Sequence, residues 1–170
     1  MNIHQASLKP ETENSNIKTG LDDAYRNNMT ETLSKVLASS YSLTIKSQVY
    51  HWNVVGPLFK PIHELTEEHY NDLFAAIDVI AERIRALGHL TPMHDSLISE
   101  MLDKSRSGDE ITPETMIEDL VSSHEEVVRQ MREATAQAGD ASDVVTEDML
   151  TERLNFHEQA IWMLRAIISK

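Results

Sequence analysis

The chain of 170 residues contains no cysteine, which excludes a disulfide framework and any thiolate metal site. A metal, if one is bound, must be held by His, Asp and Glu. No stretch is continuously apolar over a membrane-spanning length. The opening MNIHQASLKPETENSN has neither the apolar segment of a secretory signal nor the arginine richness of a transit peptide, so the cytoplasm is the expected compartment, with no membrane partner. Nothing alternates at period two for long enough to suggest a sheet. Glycine and proline occur five times each, few enough that their positions read as punctuation between long helices. One motif is also missing. Di-iron bundles that build their centre inside one subunit carry Glu-x-x-His on two helices. The residues three before His51, His63, His69, His124 and His157 are Gln48, Lys60, Thr66, Val121 and Leu154.

What is present is acidic charge, unevenly placed. The net charge is −13, from 15 basic and 28 acidic residues. Residues 1–50 hold five of each, leaving 15 − 5 = 10 basic and 28 − 5 = 23 acidic residues in 51–170. Such a body repels nucleic acid and attracts cations, and the same acidity also serves solubility.

The punctuation divides an all-α chain. Gly56, Pro57 and Pro61 separate a first helix, about 22–54, from a second, about 60–87, which Gly88 and Pro92 close. DSLISEMLDK reads as a short amphipathic helix. Thr112-Pro113-Glu114 is an N-cap followed by proline at the first helical position, opening a helix that runs to about 138 and stops at Gly139. A last helix runs from about 143 to the end. Leu73, Ile77, Ile80, Ile84 and Leu87 alternate steps of four and three, as do Leu150, Leu154, His157, Ile161, Leu164 and Ile168. Such steps mark the seams of packed helices. The predicted architecture is a four-helix bundle with a short extra helix between the second and third. Residues 1–20 form an expected flexible tail and 21–170 the bundle domain.

The second helix carries the chemistry. With His63 at zero on a wheel of about 100° per residue, Glu67 falls near 40°, Asp78 near 60° and Glu82 near 100°. This face lies beside the apolar seam, so partial burial is expected, and buried carboxylates must protonate, pair or bind metal. Arg85, near 40°, is a candidate neutraliser. His63 and Glu67 are one turn apart, as are Asp78 and Glu82, but the midpoints of the two pairs lie ~22 Å apart along the axis. One helix cannot bring both to one ion. A two-fold axis near Asp72 would set one pair against the partner's other pair and give two equivalent sites per dimer. His51, across the Gly-Pro turn, would add a further nitrogen.

HWNVVGPLFKPIHE, DVIAERIRALG and HEQAIWMLRA together resemble the Dps miniferritins, DNA-binding proteins from starved cells, over residue 30 to the end. The resemblance implies a ferritin-like bundle assembled from dimers into a homo-dodecameric shell. The shell would oxidise Fe(II), preferring hydrogen peroxide to oxygen, and store the ferric mineral, protecting against oxidative stress. It implies a ferroxidase centre of two irons shared between subunits, with zinc as a substitute occupant. The ligands would be His51 and His63 from one subunit and Asp78 and Glu82 from the other. Glu67 stands where the family usually has aspartate, and its extra methylene leaves direct ligation or a water-mediated role open. Trp52 corresponds to the family's near-site tryptophan, an electron donor or else a core-packing residue. Asp143, Glu147, Asp148 and Glu152 cluster where the family lines iron-admitting pores with carboxylates. The N-terminal end of a helix favours such charges in any case. His124 and His157, on apolar seams, read as hydrogen-bonded core residues. DNA binding is the weaker expectation and a mainly nucleoid-compacting role the alternative, because Lys9 and Lys18 in the tail are balanced by Glu11 and Glu13.

Overall fold

The computed structural model describes residues 17–92 and 111–169. Among them are four helices and no strand: α1 (Asp23–Asn53), α2 (Phe59–Ala86), α3 (Pro113–Asp140) and α4 (Val144–Ile168). The short helix expected over DSLISEMLDK lies outside the described residues, as does the expected tail apart from residues 17–20. No helix among the described residues is long and apolar enough to cross a membrane.

Side-chain caps set three of the four helix starts. Asp22 accepts from the backbone of Ala24 and Tyr25 ahead of α1, and Asp143 from that of Thr146 ahead of α4. Thr112 and Thr115 form a reciprocal capping box around Pro113, so the α3 start follows the sequence signal. Gly88, at φ 93°, closes α2: its N–H donates to Arg85 O and that of His89 to Ile84 O, the paired bonds of a Schellman ending. The end of α3 departs from expectation. Gly139 stays helical and the left-handed position falls on Ser142, at φ 59°, with Ser142 N–H to Gly139 O and Asp143 N–H to Ala138 O. A Cβ at Gly139 would lie 3.3 Å from Glu147 Oε1, a close approach that the tip of that flexible side chain can relieve by shifting a few tenths of an ångström.

Cross-helix bonds give the topology. Ser39 meets Gln130, Lys46 meets Ser123 and Tyr50 meets Asp119, so α1 and α3 are antiparallel. Arg153 meets Asp72 while Arg83 meets Thr146, so α2 and α4 are antiparallel too. With α1 and α2 a hairpin, α2 and α3 run the same way, so the end of α2 and the start of α3 lie at opposite ends of the bundle. This is the one-crossover bundle of ferritin-like folds. Met29, Leu33, Leu43, Ile62, Leu73, Ile80, Ile84, Ile117, Leu120, Met131, Leu150 and Leu164 fill its core.

One layer of that core is imidazole. His69 of α2, His124 of α3 and His157 of α4 are buried, with Phe156 in ring contact with all three. His124 Nδ1 and His157 Nδ1 are 2.9 Å apart, so one donates and the other accepts, and the two rings hold opposite tautomers. Burial pushes His69 down to about 4 and His157 to about 3, the latter helped by Arg153, while burial and the neighbouring His157 hold His124 well below the ordinary range. All three are therefore neutral in the folded protein at neutral pH.

In the unfolded chain these histidines titrate near 6.5. Above that value neither state binds the protons and the three contribute no pH dependence. Below it the unfolded chain binds protons that the fold refuses, so stability falls as pH drops from about 6.5 toward 4 and below. Each such group adds about 1.4 kcal/mol per pH unit to the slope. Urea denaturation at pH 7, 6, 5 and 4 should show His157→Gln with a slope shallower by about that amount; an unchanged slope would show that the buried imidazoles do not set the acid limb.

Candidate metal centre

His51 occupies the last turn of α1, and Val54 breaks the helix in extended conformation. Gly56, at φ 87°, turns the chain, and α2 begins at Phe59 without a side-chain cap. What secures the junction is a crossed pair of hydrogen bonds. His51 Nδ1 lies 2.8 Å from His63 O and His63 Nδ1 lies 2.9 Å from His51 O. A carbonyl can only accept, so both Nδ1 atoms carry the proton and both Nε2 atoms hold a free lone pair. That is the tautomer a metal-binding histidine needs. The two rings stack at 3.8 Å and 15°. Phe59 stacks on the far side of His63, centroids 4.9 Å apart, and Tyr70 meets His51 edge-on at 5.4 Å and 85°. Two stacked imidazoles thus sit in contact with two further rings, one stacked and one edge-on.

The carboxylates expected beside them divide into two places. Glu67 is exposed, one turn beyond His63, with the Tyr70 hydroxyl 3.5 Å from its Oε1. Asp78 and Glu82 lie further along α2, also exposed. The expected partial burial of the stripe holds for His63 alone, because the seam residues Leu73, Ile77, Ile80 and Ile84 turn fully into the bundle and leave the flank of α2 facing out of the protomer. Arg85, the expected neutraliser, donates instead to His89 O. Among the described residues of one protomer, no three His, Asp or Glu side chains gather where they could hold a metal ion. Phe74 lies near 20° on the same wheel, within the stripe, and is 67% exposed.

Trp52 follows His51 but points elsewhere: its indole is 67% exposed and makes no ring contact among the described residues. Of the expected pore residues, Glu147, Asp148 and Glu152 line an open cleft of about 760 Å³ with Val79, Val144, Val145, Met149 and Thr151. Asp143 does not join them, and the expectation that it faces a pore is corrected here. It is 3% exposed and receives Arg83 at 2.7 and 2.8 Å, Tyr25 Oη at 2.8 Å, and Thr146 through N and Oγ1 at 3.1 and 2.6 Å. Burial alone would raise its pKa, but the bonds from Thr146, Arg83 and Tyr25 outweigh it and lower the carboxyl. Tyr25 is raised in turn, by burial and then by Asp143. Lys18 is exposed and Lys9 lies outside the described residues.

Two members of this region were not singled out by sequence reasoning. Tyr70 stands seven residues after His63, two turns along the same face, and that spacing was the available signal. His69, four residues from both Leu65 and Leu73, could have been placed on the seam.

Known proteins resemble the chain over most of its length. The family described as Ferritin-like domain matches residues 30–170. A low temperature-induced protein of Nostoc sp. is 39% identical over 154 residues, 89% of this chain and 86% of the relative. DNA protection during starvation protein 2 of Bacillus anthracis is 32% identical, covering 82% of this chain and 96% of the relative. Among solved structures, the Dps protein of Vibrio cholerae O1, described as a member of the ferritin-like diiron-carboxylate proteins, superposes with a TM-score of 0.78 at 29% identity, over 88% of this chain and 94% of that one.

Because Asp143 compensates the half-buried Arg83, removing it leaves that charge without its carboxylate. Asp143→Ala should lose about 3–5 kcal/mol of stability, whereas Asp148→Asn and Glu152→Gln should change it by no more than about 0.5 kcal/mol. Denaturant midpoints decide it: equal, small effects at all three positions would return Asp143 to the surface cluster.

Proposed function

The chain belongs to the Dps miniferritins of the ferritin-like family, whose activity is iron oxidation and storage, and on that premise we propose that it is a peroxide-using ferroxidase with centres shared between subunits. The observation that carries this reading is the His51–His63 clasp. Two imidazoles are locked in the tautomer that presents Nε2 outward, and imidazole with carboxylate suits iron. Their own helix supplies Glu67 nearby and holds Asp78 and Glu82 too far away to reach the same ion. A second copy related by a two-fold axis near Asp72 brings the partner's carboxylates to the histidines, two irons per centre. Exposed Phe74 lies where that axis would cross α2, so its burial would favour the pairing.

Iron is here the substrate. Carboxylates bind Fe(III) more tightly than Fe(II), so the site favours oxidation by holding its product, and two irons oxidised in concert deliver the two electrons that hydrogen peroxide takes up. Half-buried Glu147 with exposed Asp148 and Glu152, repeated around an axis of a dodecameric shell, would draw Fe(II) inward, and the shell would retain the mineral. Consumption of iron and peroxide together is a defence against oxidative stress, in the cytoplasm or near the nucleoid. Zinc, which has no redox chemistry, would occupy the centre and inhibit it. Coating of DNA is the secondary reading, since Lys18 is exposed but the body of the protein is acidic.

Anaerobic titration of the assembled shell with Fe(II), followed by stoichiometric peroxide, tests the proposal. Saturable binding and fast oxidation are expected in the wild type. In Asp78→Ala/Glu82→Ala, with assembly intact by size-exclusion chromatography, binding should be lost and the rate should fall by roughly 100-fold. Equal behaviour of the two proteins would remove the shared centre from consideration.

A further inference from the structure

We propose that Tyr70 is a one-electron donor to this centre, giving up its phenolic hydrogen when peroxide arrives at a site holding a single iron. The inference rests on the ferroxidase reading above. Of the two rings beside the stacked imidazoles, Phe59 is redox-inert, while Tyr70 carries an oxidisable phenol. Its ring touches His51 edge-on at 5.4 Å, and its hydroxyl faces Glu67 Oε1 at 3.5 Å. One residue therefore contacts an imidazole ligand through its ring and a carboxylate through its oxygen. That is what proton-coupled oxidation requires, an aromatic path for the electron and a base for the proton. A tyrosine side chain is a neutral phenol at neutral pH, so its oxidation has to release a proton. Trp52, the indole expected in this role, makes no ring contact with His51 within the protomer and is the alternative that the test must separate.

The step balances. Hydrogen peroxide takes up two electrons and two protons, its O–O bond breaks, and two water molecules form. One electron comes from Fe(II), which becomes Fe(III). The other comes from Tyr70, whose O–H bond breaks to leave a neutral tyrosyl radical; that proton passes by way of Glu67 and the remaining one comes from solvent. Without the second donor a lone Fe(II) reduces peroxide by one electron to hydroxide and a free hydroxyl radical. A later Fe(II), with a proton from solvent, returns the radical to tyrosine and becomes Fe(III), so the residue is not consumed.

The experiment loads the assembled shell anaerobically with one Fe(II) per centre, adds one equivalent of peroxide, and freezes the mixture for electron paramagnetic resonance. A parallel sample carries a hydroxyl-radical spin trap. The wild type should give a tyrosyl signal and little trapped adduct. Tyr70→Phe, which keeps the ring contact, should lose the signal and gain adduct, with Fe(II) binding titrated on the same sample so that the comparison is made at equal iron loading. Trp52→Phe should retain the tyrosyl signal. A radical that persists in Tyr70→Phe, or an indole radical abolished by Trp52→Phe, overturns the assignment of Tyr70 and leaves the ferroxidase standing. A wild-type shell that neither binds nor oxidises iron overturns both.

Discussion

Two crossed hydrogen bonds between His51 and His63, each imidazole donating to the other residue's carbonyl, are the constraint on which the candidate centre depends. They join the end of α1 to the start of α2 where neither helix has a side-chain cap to spare. They also satisfy the carbonyl of His51, one of those in the last turn of a helix that have no partner within it. The same two protons fix both tautomers, so a bond that serves the fold also prepares the metal-facing nitrogens. The stacking of the rings follows, because two imidazoles tied across a five-residue turn have little choice but to lie face to face. Phe59 and Tyr70 then bracket them.

Polar groups inside the bundle are handled in two contrasting ways. At its centre His69, His124 and His157 stay neutral, the last two sharing one ring-to-ring hydrogen bond, with the Arg153 guanidinium over Phe156 at the edge of the layer. At the α3–α4 junction the charges are kept and fully matched: Asp143 caps α4, receives Arg83 and Tyr25, and so ties three parts of the chain to one carboxylate. The second arrangement explains why a residue that looks like part of an acidic surface cluster is removed from it. The charge of its neighbours Asp148 and Glu152 remains on the outside, available to cations, while that of Asp143 is spent internally.

The carboxylate stripe of α2 shows how a wheel can be right about direction and wrong about environment. His63, Glu67, Asp78 and Glu82 do share a flank, yet the seam turns so completely inward that the three carboxylates are exposed in the protomer. Desolvation within one chain therefore gives no reason for them to hold metal. Their arrangement, two patches too far apart for one ion with an exposed phenylalanine between them, is what supports a second copy as the missing wall.

The four described helices follow from local pattern alone. The start of α3 was legible in Thr112-Pro113 and the helix faces in the steps of three and four, because capping and burial act over one or two turns and leave a local record. The sequence also requires a metal to be bound by imidazole and carboxylate, and it carries the resemblance to the Dps miniferritins. Packing between distant segments sets which nitrogen of His51 and of His63 is free, that Tyr70 rather than Trp52 touches His51, and that Asp143 lies beneath the surface against Arg83. It also moved the left-handed turn at the end of α3 from Gly139 to Ser142. Each of these depends on a partner from another part of the chain, such as Arg83, 60 positions from Asp143. A residue type specifies what bonds a side chain can make, but the identity of a distant partner is settled by how the helices pack, which no local pattern contains.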